Sequence, residues 1–183
     1  KVIEECDFLN YKKFLDFCSG AGGKILCLAS LQKGRGSFFA YDKDKIKLEK
    51  LRIRAKRAGV DVEIIEKKEI NEYFKSFDCI VLDVPCSGSG AWRRNPQQKW
   101  RITPKKIEEL IMLQSNLLQQ AKSLLKDNGK LIYITCSLLR SENQSIIENF
   151  ILNNPRFSIV RQKNYYPSEI GDGFYCAELL KNN

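Results

Sequence analysis

Two short segments of the chain carry a cysteine in a setting that suits chemistry. Cys86 lies in segment 83–90, DVPCSGSG, directly after an apolar run, and Cys136 lies in segment 135–137, TCS, directly after another. In an open α/β sheet, the residues just past the carboxyl ends of the strands line the ligand crevice. Two thiols in one crevice, with Asp83 beside the first, predict covalent chemistry rather than packing.

The rest of the composition limits how such a thiol could be activated. The chain contains no histidine, which excludes a Cys-His or Ser-His pair, so neighbouring cations must favour the thiolate. The seven cysteines are an odd number and include no Cys-x-x-Cys spacing, so no zinc or redox site of that type is predicted. This cysteine usage is typical of the reducing cytosol, and we expect a cytoplasmic protein with no metal site.

A glycine-rich turn, segment 18–24, CSGAGGK, follows the first predicted strand and precedes a helix. Glycines there let a ligand approach the backbone at a helix N-terminus, although the spacing matches neither the dinucleotide fingerprint nor a P-loop. Alone, the turn could equally be a tight connection. Asp42 ends the second strand, where a ribose diol would be held, unless it caps the following helix. Together the two features favour an adenosine-containing cofactor.

Strands and helices alternate along the whole sequence. Strands are predicted at 13–17, 37–41, 61–65, 77–82, 130–135, 157–161 and 174–180, and helices at 25–31, 43–58, 103–126 and 142–152. Ser141 and Gln144 match a capping box for the last helix, and residues 83–102 read as one long polar loop. The alternation predicts one α/β domain with a mostly parallel sheet and helices on both faces.

The net charge of +9 favours a polyanionic partner, although solubility alone could explain it. Lysine and arginine recur in segments 43–57, 93–106 and 161–163. Arginines beside aromatics suit phosphate contact and base stacking, and the alternative is a solvated loop with packed tryptophans. The candidate RNA-binding residues are Arg93, Arg94, Lys99, Trp100 and Arg101. No apolar run approaches the ~20 residues that cross a bilayer, so no membrane partner is expected.

The motifs resemble those of the Sun/Fmu family of RNA cytosine-C5 methyltransferases, and most closely its bacterial small-subunit ribosomal RNA branch. Segment 16–24 resembles the first motif of that family, and segment 84–90 with the basic residues after it resembles the fourth. Segment 133–137 with Glu142 and Asn143 resembles the sixth, and segment 172–174 resembles the last strand. The likeness covers nearly the whole chain in the right order.

This resemblance implies a Rossmann-like class I methyltransferase fold with an antiparallel C-terminal strand, S-adenosylmethionine as cofactor, and a monomer that acts on RNA, with 16S ribosomal RNA as the expected substrate. It assigns attack on cytosine C6 to Cys136, product release to Cys86, and contact with both cofactor and base to Asp83. Asp42 would hold the ribose, and Glu66 lies where the family has an adenine-contacting aspartate. The turn that would wrap the cofactor comprises Cys18, Ser19, Gly20, Ala21, Gly22, Gly23 and Lys24.

Alternatives remain open on the sequence. DNA cytosine methyltransferases attack from a Pro-Cys motif, which would make Cys86 the nucleophile. A non-catalytic RNA-binding or assembly factor could keep the fold without turnover. Ser19, Ala21 and Ile25 depart from the common residues of the glycine motif, and Glu66 is one methylene longer than aspartate.

The sequence reads as one catalytic domain over residues 1–183. It lacks the upstream Gln-Asp segment and the N-terminal RNA-binding domain that the family normally has, so we expect weaker and less selective RNA binding. It also begins with Lys1 and has Met112 as its single methionine, so we expect it to be part of a longer protein.

Overall fold

A computed structural model of the protein describes residues 2–8, 10–169 and 171–183. Seven strands and five α-helices alternate along these residues, with short 3₁₀ turns between some of them. The strands are β1 (Lys13–Asp16), β2 (Ser37–Ala40), β3 (Val62–Ile64), β4 (Phe77–Asp83), β5 (Leu125–Thr135), β6 (Phe157–Tyr165) and β7 (Phe174–Lys181). The helices are α1 (Gly23–Leu31), α2 (Lys45–Ala58), α3 (Gln97–Arg101), α4 (Pro104–Leu124) and α5 (Gln144–Leu152).

The seven strands form one sheet in the order β3-β2-β1-β4-β5-β7-β6. The first five strands pair in parallel, and β7 runs antiparallel to both of its neighbours. This confirms the predicted mostly parallel sheet with an antiparallel C-terminal strand. The strand order reverses between β1 and β4, and an open α/β sheet binds ligands at such a switch point, beyond the carboxyl ends of the strands.

Helices cover both faces of the sheet, because side chains of successive strand residues point to opposite faces. On β4, Ile80 packs with α4 and α5, whereas its neighbour Val81 packs with α1 and α2. Both residues are almost completely buried. The two apolar layers hold the central strands rigidly, which fixes the loops at their carboxyl ends. None of the helices within the described ranges is long and apolar enough to cross a membrane.

Helix α4 ends earlier than its apolar pattern predicts. It was expected to reach residue 126, but Leu125 is already extended and pairs with Phe77 of β4. Leu125 is fully buried, so a tertiary contact overrides the local helical pattern. The chain then turns through Asn128, at φ +60°, before the regular pairing of β5 with β4 resumes at Lys130.

Two further predictions of local structure are wrong. The capping box of Ser141 and Gln144 does not form, since α5 begins after Asn143 and no side chain caps it. The Asn143 side chain instead accepts a hydrogen bond from Thr135 and donates one to the Ser137 carbonyl. Segment 83–102 is also not one loop, because it contains a 3₁₀ turn at Ser89–Ala91 and the short helix α3.

Candidate active site

The carboxyl ends of β1, β2, β4 and β5 meet around one cleft of about 700 Å³. The ends of these strands and the segments after them supply both cysteines of the opening motifs, Asp83, and the predicted cofactor residues other than Gly22 and Glu66. Helix α4 closes part of the wall with Leu113, Leu117 and Gln120. The cleft therefore lies at the switch point of the sheet, where the topology predicts a ligand site.

The glycine turn between β1 and α1 forms the floor of the cleft. Gly20 and Gly22 have φ angles of +52° and +83°, a region that disfavours residues with a side chain. At Gly22 an added Cβ would also lie 2.7 Å from the Leu51 side chain, so α2 packs directly against the turn. At Gly20 and Gly23 an added Cβ would meet nothing within 4 Å, which leaves the backbone open to a ligand.

Asp42 is held against the glycine turn by backbone hydrogen bonds. Its Oδ2 accepts from the Gly20 N–H at 2.8 Å, and its Oδ1 accepts from the Asp44 N–H at 2.8 Å. The N-cap of α2 is Asp44, whose carboxylate accepts from Ile46 and Lys47, so the capping alternative for Asp42 is wrong. A fixed carboxylate at the end of β2 fits a ligand with a ribose diol.

Asp16, at the end of β1, is a cleft residue that the sequence reading did not single out. It is 1% exposed, and neither carboxylate oxygen accepts a hydrogen bond of ordinary geometry from the described residues. Burial and the charge of Asp83 raise its pKa to about 7, because Lys24 and the Ile25 amide offset only part of these two effects. An unsatisfied acid in the wall fits a cofactor that carries positive charge, as S-adenosylmethionine does.

The two cysteines of the opening motifs are brought together. The Sγ atoms of Cys86 and Cys136 lie 3.4 Å apart, and both residues are partly buried. The contact with Cys86 lowers the pKa of Cys136; burial and Asp83 oppose this, and Lys24 adds to it. The same contact raises the pKa of Cys86, and burial raises it too. Either thiol can donate in this contact, and Cys136 is the one of the two whose pKa is lowered.

Lys24 joins the glycine turn to the cysteine loops. Its ammonium pairs with the Asp83 carboxylate, and both side chains are partly exposed, at 23% and 34%. Lys24 therefore links the cofactor side of the cleft to the position beside Cys136. The Lys24 charge lowers the pKa of Cys136, but the Asp83 charge raises it by more, so this ion pair alone does not take the place of a histidine. Within the described ranges, no group of three or more acidic, cysteine or histidine side chains could hold a metal ion.

A buried carboxylate beneath the cysteines ties their loops together. Glu142 is fully buried, and its oxygens accept hydrogen bonds from Ser87, Ser137 and Gln114. The Gln114 amide also donates to the carbonyl of Pro85 at 2.9 Å. No role is predicted for Gln114 from the sequence. A polar residue on the apolar stripe of α4 was the one sign that it forms buried hydrogen bonds.

The basic segment after Cys86 is partly tied to the loop before β7. Arg94 pairs with Asp172, which is almost buried, and Arg93 donates to the backbone carbonyl of Glu169. Trp100, on α3, is 84% exposed, and Lys99 lies over its ring. The arginines thus brace the cleft rim, whereas the tryptophan presents a free aromatic face. RNA contact by these residues and by Arg101 stays a prediction.

Glu66 lies away from the cleft lining. It is exposed, and its carboxylate pairs with Lys68 at 3.4 Å. Its neighbour Lys67 lines the cleft instead. Contact of Glu66 with the adenine stays a prediction.

The family model for the 16S rRNA methyltransferase RsmB/F matches residues 7–180. The chain belongs to this family. Among RsmB/F relatives, the probable ribosomal RNA small subunit methyltransferase B of Bacillus subtilis is 35% identical over 148 residues, which cover 78% of this chain and 33% of that protein. The ribosomal RNA small subunit methyltransferase B of Klebsiella pneumoniae is 33% identical over 187 residues, which cover 94% of this chain and 42% of that protein.

Solved structures show the same RsmB/F-like architecture. NSun6 from Pyrococcus horikoshii, crystallised with the S-adenosylmethionine analogue SFG, is 26% identical with a TM-score of 0.82. The match covers 95% of this chain and 48% of that one. A methyltransferase homologue from the same organism is 28% identical with a TM-score of 0.79, covering 93% and 61%. The chain thus spans less than half the length of the curated RsmB/F relatives named above.

Proposed function

We propose that this protein transfers a methyl group from S-adenosylmethionine to C5 of a cytosine in RNA, with 16S ribosomal RNA as the substrate. The observation that carries the proposal is the pair of thiols 3.4 Å apart at the edge of a cleft that fits the cofactor. Family membership supports both the reaction class and the RNA. S-adenosylmethionine, when bound, supplies an electrophilic methyl group.

The residues of the cleft suit what cytosine requires. C5 is a poor nucleophile while the ring is aromatic, and a thiolate that bonds to C6 moves electron density onto C5. We assign this step to Cys136, because its pKa is lowered by the contact with Cys86 and by Lys24, although burial and Asp83 oppose the shift. After C5 is methylated, its proton must leave so that the C6–S bond can break and the aromatic ring can return.

We assign removal of that proton to Cys86. The contact with Cys136 is the first cause that raises the pKa of Cys86. Once Cys136 is bonded to C6 it carries no charge, so this cause disappears and Cys86 can lose its own proton to solvent. The Cys86 thiolate can then accept the C5 proton while the electron pair of the C6–S bond leaves with Cys136. Asp83, held by Lys24, would contact the base.

The proposal is tested by incubating the protein with 16S ribosomal RNA and S-adenosylmethionine labelled in the methyl group. We expect label in RNA, recovered as 5-methylcytidine after digestion to nucleosides. Label in another nucleoside, or in DNA but not RNA, would contradict the proposal. Cofactor binding without any transfer, to this chain or to the chain extended to the length of its relatives, would favour the non-catalytic alternative.

The charge distribution supports a polyanionic substrate. Helix α2 carries seven lysines and arginines and one glutamate, and its side chains Lys45 and Lys50 are exposed. The N-terminus of α2 lies beside the cleft, because Lys47 and the preceding Lys43 line the cleft. A single basic helix beside the active site suits contact with RNA phosphates, because each neutralised phosphate releases counterions.

Neutralising two lysines of α2 is expected to weaken RNA binding and its salt dependence. The double variant Lys45→Gln and Lys50→Gln should lower the slope of log affinity against log salt by about 1 to 2, because each lost phosphate contact removes about 0.7 to 0.9. The matched control is Lys33→Gln with Arg35→Gln, on the turn before β2 at the opposite end of the sheet. Equal slopes for both double variants would contradict a role for this face.

A further inference from the structure

One carboxylate holds the residues that follow the two cysteines. Oε1 of Glu142 accepts from the Ser87 N–H at 2.9 Å, and Oε2 accepts from the hydroxyls of Ser87 and Ser137 at 2.5 and 2.6 Å. Gln114 donates a fourth hydrogen bond to Oε1 at 2.9 Å. All four partners donate, which suits a carboxylate that only accepts.

The contacts extend this link into both loops. Ser89 Oγ lies 3.1 Å from Ser137 Oγ and accepts from the Leu138 N–H. The Gly90 N–H donates to the Cys136 carbonyl, so the loop after β4 is also joined to the loop after β5 through its backbone. Glu142 itself is fixed from below, because the Tyr133 hydroxyl donates to its carbonyl at 2.7 Å. A shift of either loop would break several of these bonds together.

The carboxylate makes more hydrogen bonds to the segment of Cys86 than to that of Cys136. Glu142 bonds to Ser87 through both the backbone and the hydroxyl, but to Ser137 through the hydroxyl alone. In agreement with this geometry, its charge is among the causes that raise the pKa of Cys86. Among the described residues, the groups that interact electrostatically with the thiol pair are Lys24 of α1, Asp83 of β4, Arg94 of the basic segment, Tyr133 of β5, and Glu142.

We propose that Glu142 is a positioning residue that keeps Cys86 as the protonated partner and leaves Cys136 as the attacking thiolate. The proposal rests on the proposed function for its catalytic meaning. Its chemical content, an asymmetry between two neighbouring thiols, exists without RNA or cofactor. Glu142 touches neither reacting atom, so it acts by fixing the loops and by the effect of its negative charge on Cys86.

The test compares how fast iodoacetamide alkylates each thiol, because the thiolate is the reactive form. Peptide mass spectrometry follows Cys86 and Cys136 separately between pH 6 and 10 in the ligand-free protein. We expect Cys136 to react at least about tenfold faster than Cys86 near pH 7, since one pKa unit is tenfold in thiolate fraction. In Glu142→Gln this preference should fall below about threefold, and the pH midpoint of Cys86 should move down.

Two other variants keep the proposal falsifiable. Glu148→Gln, on the exposed side of α5, is the matched control and should leave the preference unchanged. Ser137→Ala removes one hydrogen bond to the carboxylate and should give an intermediate preference. It replaces Glu142→Gln as the test if the melting temperature shows that Glu142→Gln does not fold. An unchanged preference in a folded Glu142→Gln protein, or in Ser137→Ala where Glu142→Gln is unfolded, would overturn the proposal.

Methylation assays separate this inference from the proposed function. With RNA and cofactor, Glu142→Gln should lower kcat and leave the KM for RNA unchanged, because the RNA-facing residues are untouched. Absence of cytosine methylation in the unmodified protein, together with a strong preference for Cys136 in alkylation, would contradict the proposed function and leave the thiol asymmetry intact. Equal alkylation rates of the two thiols in an unmodified protein that still methylates cytosine would contradict the inference alone.

Discussion

Cys136→Ala is expected to abolish cytosine methylation, whereas Cys86→Ala is expected to hold RNA on the protein. Without Cys136 no bond to C6 can form, so turnover should fall by about 10⁴-fold or more, as for other lost nucleophiles. Without Cys86 the first steps remain, but the C5 proton leaves slowly and the C6–S bond persists. Gel electrophoresis under denaturing conditions should therefore show a protein–RNA adduct for Cys86→Ala.

Cys27→Ala is the matched control for both changes. This cysteine lies on α1 outside the lining of the cleft, so its loss should leave turnover and adduct formation close to those of the unmodified protein. A double variant without Cys86 and Cys136 should form no adduct. Adduct formation in Cys136→Ala but not in Cys86→Ala would instead match the arrangement of DNA cytosine methyltransferases.

Asp16 should make the stability of the ligand-free protein fall as the pH rises through 7. Its pKa is raised from 3.8 to about 7 in the folded state, so the folded protein holds this proton more tightly than the unfolded chain does. This contribution is complete below about pH 4 and is lost by about pH 8, a change of roughly 4 kcal/mol in the free energy of unfolding. Urea denaturation from pH 5 to 8 measures the slope.

Asp16→Asn removes this titration and should flatten the slope, while Glu108→Gln on the exposed surface of α4 should not change it. The positive charge of S-adenosylmethionine should favour the ionised acid, so the affinity of the unmodified protein for the cofactor should rise from pH 6 to 8. In Asp16→Asn the affinity should vary little with pH. The same dependence of the free energy of unfolding on pH in Asp16→Asn and in the unmodified protein would contradict the account of this residue.

The alternation of elements was enough to predict the sheet and its layers. Each central strand is a short apolar run, and these runs form β1, β2, β4 and β5 in the expected places, with β5 starting earlier, at Leu125. The end of α4 could not be predicted in the same way. Its pattern continues to residue 126, and the extended conformation of Leu125 depends on pairing with Phe77, which is distant in sequence.

Site residues that directly follow a strand could be predicted from the sequence. Residues that come together only through tertiary contacts between distant segments were harder to predict. The cysteine motifs and Asp42 each follow a strand, so topology alone places them in one cleft. Glu142 and Gln114 come from separate segments and meet beneath the cysteines only after α4 and α5 have packed. Their role depends on tertiary hydrogen bonds, which leave little trace in local sequence patterns.

The most direct test of the account identifies the residue that is bonded to RNA. Cys86→Ala is incubated with S-adenosylmethionine and 16S ribosomal RNA, the RNA is digested, and the remaining nucleotide is located on the protein by peptide mass spectrometry. The account predicts a methylated cytidine nucleotide on Cys136, with Cys18 and Cys27 unmodified. A nucleotide on another cysteine, or no nucleotide on a protein that still methylates RNA, would contradict it.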